Sequence, residues 1–437
     1  MSYLDNATEA GDGPVVIISA SVGAGHDGAA AELARRLRVS GVRVELHDFL
    51  DLMPGRLGPL LSSAYHRMLT HAPWGYQRVY AATEHRDGGG RFTTTLLRAT
   101  ESRMLAVLPP DTRAVVSTYP LASQVLGALR RSGRLAVPAL TYLTDFSVHS
   151  TWVARGIDLH LATHTVPARQ ARAVGARHVL ATGPLVASGF APPAPGRRSA
   201  ARDRFSLPLQ GPLALLVAGS WGVGDVVGAA QEVRDAGGVT PVVVCGRNSG
   251  LAAQLREAGI EHVFEWVEDM PTLMRAVDVL VQNAGGLTSL EALASGVPVV
   301  SYNCIPGHGR TNAAALEEAG LAPWIRTADR LRPTLSALVS GPARTRQQEA
   351  GLALFHHPVG PRPEAAVLAA VPRSSAADAT AVRRAAAATT GYGALRRRGP
   401  AAVLVAAAVA AMGLAVPETT EAAILHSSHE LVHALDR

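Results

Sequence analysis

The sequence N-A-G-G-L-T-S-L-E at residues 283–291 has the residue types that bind a nucleoside diphosphate. Gly285 and Gly286 let the backbone approach a ligand closely, and the helix predicted to follow offers unpaired N–H groups and a positive dipole end to an anion. Glu291 lies three residues after Thr288, so it is predicted to cap that helix and to reach the diol of a ribose. A strand-to-helix turn that needs glycine only for packing is the alternative.

A second glycine-rich loop, S-V-G-A-G-H-D-G at residues 21–28, follows the first apolar run. It places His26 at the start of a predicted helix, where the dipole disfavours the imidazolium and leaves the ring neutral enough to act as a base. A surface histidine at a capping position is the alternative. The loop also satisfies G-x-G-x-x-G, and Asp48 ends the next strand, where a dinucleotide-binding fold places its ribose acid. An NAD-dependent oxidoreductase therefore stays open, although it leaves 283–291 without a role.

Three further strand ends carry polar or glycine residues. Asp145 ends the apolar run at 139–143 and is predicted to orient or charge-stabilise His26, a helix cap being the alternative. In the second half of the chain, Gly219 and Ser220 follow an apolar run, and Arg247 ends the next one, where a guanidinium is able to grip a pyrophosphate with paired donors. Together with 283–291 they predict a phosphate site at one sheet edge.

Composition excludes several classes of protein. All 41 basic residues are arginine, so Walker-type phosphate lysines, Schiff-base lysines and pyridoxal chemistry are excluded. Cys245 and Cys304 are too few for a disulfide framework or a cysteine metal cluster. The H-E-x-x-H motif at 429–433 is followed by only four residues, which disfavours a metalloprotease. The net charge of +6 is unevenly spread, and the first 350 residues carry only +4 in dispersed form, which does not indicate a nucleic-acid partner. We therefore expect neither a metal nor a resident cofactor.

Short apolar runs alternate with helical patterns, which predicts two doubly wound α/β domains facing one another across a cleft. Runs in the first domain are Val15–Ser19, Val42–Leu46, Ala114–Ser117, Ala139–Leu143 and Leu159–Ala162. Runs in the second domain are Leu213–Val217, Val242–Cys245, His262–Phe264, Val279–Gln282 and Pro298–Tyr302. The predicted divisions are a first domain at 14–190, a linker at 191–212 and a second domain at 213–345. An Ala/Arg/Pro-rich connector at 346–400 and a tail at 401–437 follow. The composition changes to Ala, Arg and Pro at about residue 341, from which we expect weak structure.

Two segments indicate membrane contact. In residues 53–80, apolar and aromatic side chains alternate with Arg56, Arg67 and Arg78, a mixture suited to an acceptor and an anionic bilayer surface; an internal amphipathic helix is the alternative. Residues 401–416 are all apolar and follow three arginines, so either a single C-terminal span with the main body on the cytoplasmic side or a buried or surface helix is predicted. No signal peptide opens the chain, and we expect a cytoplasmic, membrane-associated protein.

The motifs S-V-G-A-G-H-D-G-A-A, L-T-D-F-S-V-H-S-T-W and V-E-D-M-P-T-L…N-A-G-G-L-T-S-L-E-A-L resemble those of the monogalactosyldiacylglycerol synthase and processive diacylglycerol glucosyltransferase family, relatives of the peptidoglycan N-acetylglucosaminyltransferase. The resemblance covers roughly residues 14–330 and implies a GT-B fold, a UDP-sugar donor and a lipid acceptor, for which we expect diacylglycerol. The family's P-G-Q-E stretch reads Pro306-Gly307-His308-Gly309 here, which leaves the transferred hexose open.

Residue roles follow from the match to the family motifs. The pyrophosphate would be held by Gly219, Ser220, Arg247, Gly285, Gly286 and Thr288, and the ribose by Glu291. The uracil would be framed by Trp266 and Val267, and the sugar contacted by His308 and Asn312. Acceptor contacts are expected at Gly23, Gly25, His149 and Trp152. The implied reaction is an inverting transfer with His26 as base and Asp145 in support. A UDP-sugar 2-epimerase would share the fold and the donor site and is the main alternative.

Overall fold

The computed structural model describes residues 13–71, 73–84, 91–356 and 358–371. They form two α/β domains, each with its own parallel sheet. The prediction of two facing doubly wound domains is confirmed.

The first domain surrounds six parallel strands, which are β1 Val15–Ser19, β2 Val44–Asp48, β3 Ala114–Ser117, β4 Ala139–Leu143, β5 Leu159–Ala162 and β6 Val179–Ala181. They lie in the order β2-β1-β3-β4-β5-β6. The helices are α1 Ala24–Val39, α2 Phe49–Leu52, α3 Leu57–His71, α4 Pro73–Glu84, α5 Arg91–Ala106, α6 Pro120–Arg131 and α7 Thr165–Ala173, and a 3₁₀ turn spans Ser150–Trp152. Every residue of β1, β3 and β4 is buried, because helices cover both faces of such a sheet.

The second domain follows a helix α8 at Arg197–Arg204 and contains β7 Leu213–Val217, β8 Thr240–Val244, β9 His262–Phe264, β10 Val279–Gln282 and β11 Val299–Ser301. These strands are parallel, in the order β11-β10-β7-β8-β9. Its helices are α9 Val226–Ala236, α10 Ser249–Glu257, α11 Met270–Ala276, α12 Leu287–Ala294, α13 His308–Glu318 and α14 Leu331–Val339, with a 3₁₀ turn at Ala328–Arg330. Strand β7, the first in sequence, lies at the centre of the sheet, which places its end beside that of β10.

The predicted linker is anchored to the second domain. Its helix α8 packs against α11, and the buried guanidinium of Arg202 donates to the Asp278 carboxylate at 2.7 Å. Arg202 also donates to main-chain carbonyls, those of Ala276, Pro208, Leu209 and Gly211. The linker therefore moves with the second domain.

The weakly structured connector predicted from about residue 341 is wrong for residues 342–356 and 363–370. Helix α15 spans Pro342–His356 and packs on α12 and α14, and helix α16 spans Pro363–Ala370 and returns to the first domain. Val367 of α16 is fully buried in that domain's core. Alanine-rich sequence forms these helices because alanine has the highest helix propensity and packs closely.

The predictions for residues 401–416 and for the H-E-x-x-H motif at 429–433 lie outside the described residues. Within the described ranges, every helix is too short or too polar to span a bilayer.

Candidate active site

A cavity of about 780 Å³ lies between the two domains, at the ends of β1, β4, β7 and β10. Ligands of open parallel sheets bind at this edge, and the volume is that of a small-molecule site. The predicted site residues that line it are Gly23, Gly25, His26, Asp145, His149, Trp152, Gly219, Ser220, Trp266, Val267, Gly285, Gly286, Thr288, Glu291 and His308. Residues from both halves of the chain thus meet in one space, and only Arg247 and Asn312 of the predicted set stand outside its lining.

His26 lies in the first turn of α1 with a defined tautomer. Its Nδ1 is 2.8 Å from the carbonyl oxygen of Thr118 and 3.0 Å from the hydroxyl of Thr144. Because a carbonyl oxygen only accepts, Nδ1 carries the proton and Nε2 keeps its lone pair. The ring is therefore oriented to take a proton at Nε2.

Asp145 lines the same cavity as His26, but its carboxylate accepts a hydrogen bond from Trp152 and not from His26. The indole Nε1 of Trp152 donates to the Asp145 carboxylate at 3.0 Å, and the ring of Trp152 lies 5.8 Å from that of His26. The orienting contact predicted between Asp145 and His26 is wrong, because main-chain and hydroxyl oxygens already hold Nδ1. Charge stabilisation of His26 by Asp145 stays a prediction.

The turn at Gly285 is built for close backbone approach. Gly285 has φ +68°, and a Cβ there would lie 2.6 Å from the Cβ of Asn312. A Cβ at Gly286 would meet nothing within 4 Å, so open space faces this residue. The N–H of Gly285 donates to the side-chain oxygen of Gln282, a buried residue that sequence reasoning missed; its signal was a polar residue closing an apolar strand. The turn is thus shaped before any ligand binds.

Helix α12 begins at Leu287 with Gly286 as its N-cap and has no side-chain cap. The capping role predicted for Glu291 is wrong, because this residue lies one turn inside the helix. The N–H of Ser289 donates to the carbonyl of Gly286 at 3.1 Å, and the first-turn N–H groups before it remain available to an anion.

The Glu291 carboxyl is half-buried in the cavity wall, and removal from water raises its pKa to about 7. Within the described part of the chain, no cation or hydrogen-bond donor engages this side chain. An unpartnered carboxylate facing a cavity is suited to accept hydrogen bonds from a diol.

We expect Glu291→Gln to stabilise the free protein and to weaken UDP binding. The folded state keeps the proton between pH 4.5 and about 7 while the unfolded chain loses it, so wild-type stability falls across this window. Above pH 7 the free energy of unfolding of the variant, measured in urea, should exceed that of the wild type by up to about 3 kcal/mol, and the two should differ little at pH 4.

Calorimetry should show that the free energy of UDP binding to the variant is weaker by about 1–3 kcal/mol. Equal stability of both proteins at pH 8 would contradict the buried charge.

Arg247 lies over the face of Trp266, with its guanidinium carbon 4.2 Å from the ring centroid. Trp266 is 47% exposed and lines the cavity together with Val267. The pyrophosphate contact predicted for Arg247 is not preformed, because the planar cation stacks on the indole instead. This pair gives a flat wall at one end of the donor half.

His308 is the first residue of α13, and its Nδ1 is 2.9 Å from the hydroxyl of Tyr76 in the first domain. Burial lowers the pKa of His308, and His26 acts in the same direction, while the charge of Asp145 opposes them. A neutral imidazole therefore stands where the resemblance predicts a sugar contact.

Three tyrosines of the 53–80 segment, Tyr65, Tyr76 and Tyr80, belong to an apolar cluster at the cavity. Tyr65 and Tyr76 of α3 and α4 contact each other and pack with Trp221 and Ile305 of the second domain. Leu60 and Arg67 are exposed on α3, and the exposed Arg56 immediately precedes this helix. The segment therefore has features of both predicted alternatives, the internal amphipathic helix and the surface for membrane contact. One side closes the cavity, and the other remains open to solvent.

His149 lines the cavity, but both of its ring nitrogens have partners within the protein. Nδ1 accepts from the N–H of Thr151 at 3.2 Å, so Nε2 carries the proton and donates to the carbonyl of Tyr80 at 3.0 Å. The ring is tilted against that of Tyr80, with the two centroids 4.4 Å apart. His149 thus holds α4 in place, and any acceptor contact would come from its ring face.

Asp48 is occupied as a helix cap. Its carboxylate accepts from the N–H of Leu50 at 2.8 Å and from that of Ser21 at 3.1 Å. It is also absent from the cavity lining. A ribose contact by this residue, on which the NAD interpretation depends, is therefore disfavoured.

Comparison with known proteins confirms the resemblance in each half of the chain. Residues 26–186 match the family described as monogalactosyldiacylglycerol (MGDG) synthase, and residues 215–326 match glycosyl transferases group 1. Processive diacylglycerol beta-glucosyltransferases of Bacillus mycoides (strain KBAB4) and Bacillus cereus (strain AH187) are each 25% identical over 370 residues, which cover 79% of this chain and 90% of the relative.

Two solved structures support the GT-B fold. MurG of Acinetobacter baumannii matches with a TM-score of 0.50 and 17% identity over 82% of this chain and 99% of that one. The glycotransferase of kitacinnamycin matches with a TM-score of 0.55 and 18% identity, over 83% and 100% respectively. The two facing domains described above have the architecture of GT-B glycosyltransferases.

Proposed function

We propose that this GT-B glycosyltransferase, similar to monogalactosyldiacylglycerol synthases and processive diacylglycerol glucosyltransferases, transfers a hexose from a UDP-sugar to diacylglycerol at a membrane surface. One observation carries the proposal. A histidine with its Nε2 lone pair available and an uncapped glycine turn followed by an unpartnered carboxylate line the same cavity from opposite domains.

The donor fits the second-domain half of this cavity. The diphosphate would lie against Gly285, Gly286 and the first turn of α12, where N–H groups and the helix dipole favour negative charge. Glu291 would accept the ribose hydroxyls, and Trp266 would cover the base. The chain has no lysine, and the described residues that line the cavity include no arginine, so backbone donors would supply most of the stabilisation of phosphate charge.

The proposed step is a single displacement. Nε2 of His26 takes the proton of the acceptor hydroxyl as its oxygen attacks the anomeric carbon, and the bond to UDP breaks with its electron pair leaving on the phosphate oxygen. Attack opposite the departing UDP inverts the anomeric configuration. The developing phosphate charge meets the N-terminus of α12, an electrostatic contribution of the kind that dominates many such sites.

The acceptor would enter along α3. Leu61, Tyr65 and Met68 line the cavity from this helix, while Arg67 on the helix and Arg56 just before it are exposed. A diacylglycerol with its hydroxyl at His26 would lay its chains along the apolar face, and the arginines would meet anionic headgroups.

Transfer to vesicles tests the proposal. Radiolabelled UDP-glucose, UDP-galactose and UDP-N-acetylglucosamine are each incubated with the full chain and vesicles that contain diacylglycerol, with or without anionic lipid. We expect labelled glycolipid from one donor, a higher rate on anionic vesicles, and loss of that increase in an Arg56→Gln/Arg67→Gln variant or at high salt. Arg330→Gln/Arg332→Gln, which changes two exposed arginines of the second domain, is the matched control. Lipid-independent isomerisation of the UDP-sugar would favour the epimerase instead.

A further inference from the structure

Asn312 of α13 is fully buried between the two domains and lies outside the cavity lining. Its side-chain oxygen accepts from the N–H of Ser147 at 2.7 Å and from the Ser147 hydroxyl at 2.8 Å. Its side-chain nitrogen donates to the carbonyl of Ala284 at 2.9 Å. Ser147 belongs to the loop after β4 that carries Asp145, and Ala284 precedes the Gly285 turn. One amide thus joins the catalytic loop of one domain to the donor turn of the other.

We propose that Asn312 is a positioning residue that fixes the spacing between the two halves of the active site, and that it does not bind the sugar. This inference rests on the proposed function for its kinetic consequences, but its structural part holds for any ligand of the cavity. It replaces the donor contact predicted for Asn312 from the sequence, because three of the amide's hydrogen-bonding positions are already taken inside the protein.

Neighbouring contacts make this an interdomain junction. The hydroxyl of Ser147 is also 2.8 Å from that of Thr311, which in turn lies 3.2 Å from the hydroxyl of Tyr80 on α4. Ser147 is 6% exposed, so its polar groups need partners inside the protein when the domains are together. These contacts form at one domain spacing only, and water replaces them when the cleft opens.

The junction also sets the shape of the donor turn. Gly285 packs so closely on Asn312 that a Cβ on the glycine would lie 2.6 Å from the asparagine Cβ. The amide holds the preceding carbonyl, so loss of the side chain frees the turn on two sides. A variant without it should favour the open arrangement and lower the fraction of protein competent for both substrates.

The test compares Asn312→Ala, Asn312→Asp and Ser147→Ala with Ser123→Ala, a buried serine of the first domain that bonds to Tyr119 and Thr141 and lies away from the junction. Small-angle scattering of the full chain, with and without UDP, reports the domain spacing. Transfer kinetics report kcat and KM for donor and acceptor. Asn312→Asp keeps the oxygen that accepts both hydrogen bonds from Ser147 but replaces the donor to the Ala284 carbonyl with a second oxygen. It therefore tests the contact with the donor turn separately from the contact with Ser147.

We expect Asn312→Ala and Ser147→Ala to enlarge the radius of gyration without UDP and to lower kcat/KM for both substrates, about 10- to 100-fold for Asn312→Ala. Ser123→Ala should keep the wild-type radius. An Asn312→Ala protein with the wild-type radius and a raised KM for the donor alone would overturn the proposal and make Asn312 a sugar ligand. If Asn312→Ala does not fold, the radius of gyration of Ser147→Ala without UDP tests the proposal in its place. Scattering needs no lipid or sugar, so it stays valid if the transfer reaction proves to be another.

Discussion

Replacement of His26 by alanine should lower the rate of hexose transfer by about 10²- to 10⁴-fold, the usual cost of removing a general base. The carbonyl of Thr118 holds Nδ1 at 2.8 Å, so Nε2 is the atom that would take the acceptor proton. Alanine leaves nothing at that position, whereas the donor half of the cavity lies on the other domain and should bind UDP as before. Single-turnover transfer of radiolabelled hexose measures the effect.

Two comparisons make the His26 result specific. The exposed residue His178, changed to alanine, should transfer at the wild-type rate. UDP affinity by calorimetry should be the same in all three proteins, which shows that a slow variant is folded. If folded His26→Ala loses less than about threefold in rate, the proton acceptor is a different group, and Asp145 becomes the next candidate.

Asp278→Ala should reduce the free energy of unfolding by about 3–5 kcal/mol, because it removes one partner of a buried ion pair. The Asp278 carboxylate accepts from Arg202 at 2.7 Å and from the N–H of Leu213 at 3.0 Å, and Arg198 bonds to its other oxygen. Without it, a buried guanidinium and a buried N–H are left without this acceptor. Urea unfolding at pH 7 measures the loss.

Asp235→Ala is the matched control for Asp278. Asp235 also pairs with an arginine, Arg234, but its side chain is 66% exposed, so the change should cost less than about 1 kcal/mol. A loss below 1 kcal/mol for Asp278→Ala as well would mean that the linker helix is not anchored to the second domain through this carboxylate.

The strands were readable from the sequence because both sheets are parallel and covered on both faces. Buried strands of this kind are continuous apolar runs, and Ala114–Ser117 and Leu213–Val217 have the predicted bounds. The strand at Val179–Ala181 was missed because it is an apolar run of only three residues at the sheet edge, where Val179 is buried but Leu180 is exposed. Helices α15 and α16 were missed because an Ala/Arg/Pro-rich composition does not reveal which tertiary surface a helix will cover.

The sequence by itself was enough to predict which residue types lie near the strand ends. It therefore also predicted the cavity between the domains, the glycine turn in its wall, and the presence of His26 and Glu291 in it. The tertiary structure alone decided which atoms those side chains bond. His26 is held by Thr118, Asp145 by Trp152, and Arg247 stacks on Trp266. Asn312 joins two domains whose contacting residues are 165 positions apart in the chain. The spacing of apolar residues and glycines along the sequence determines where strands, turns and helices form. The hydrogen-bond partner of a polar side chain depends instead on which buried donors and acceptors the folded chain brings within about 3 Å of it.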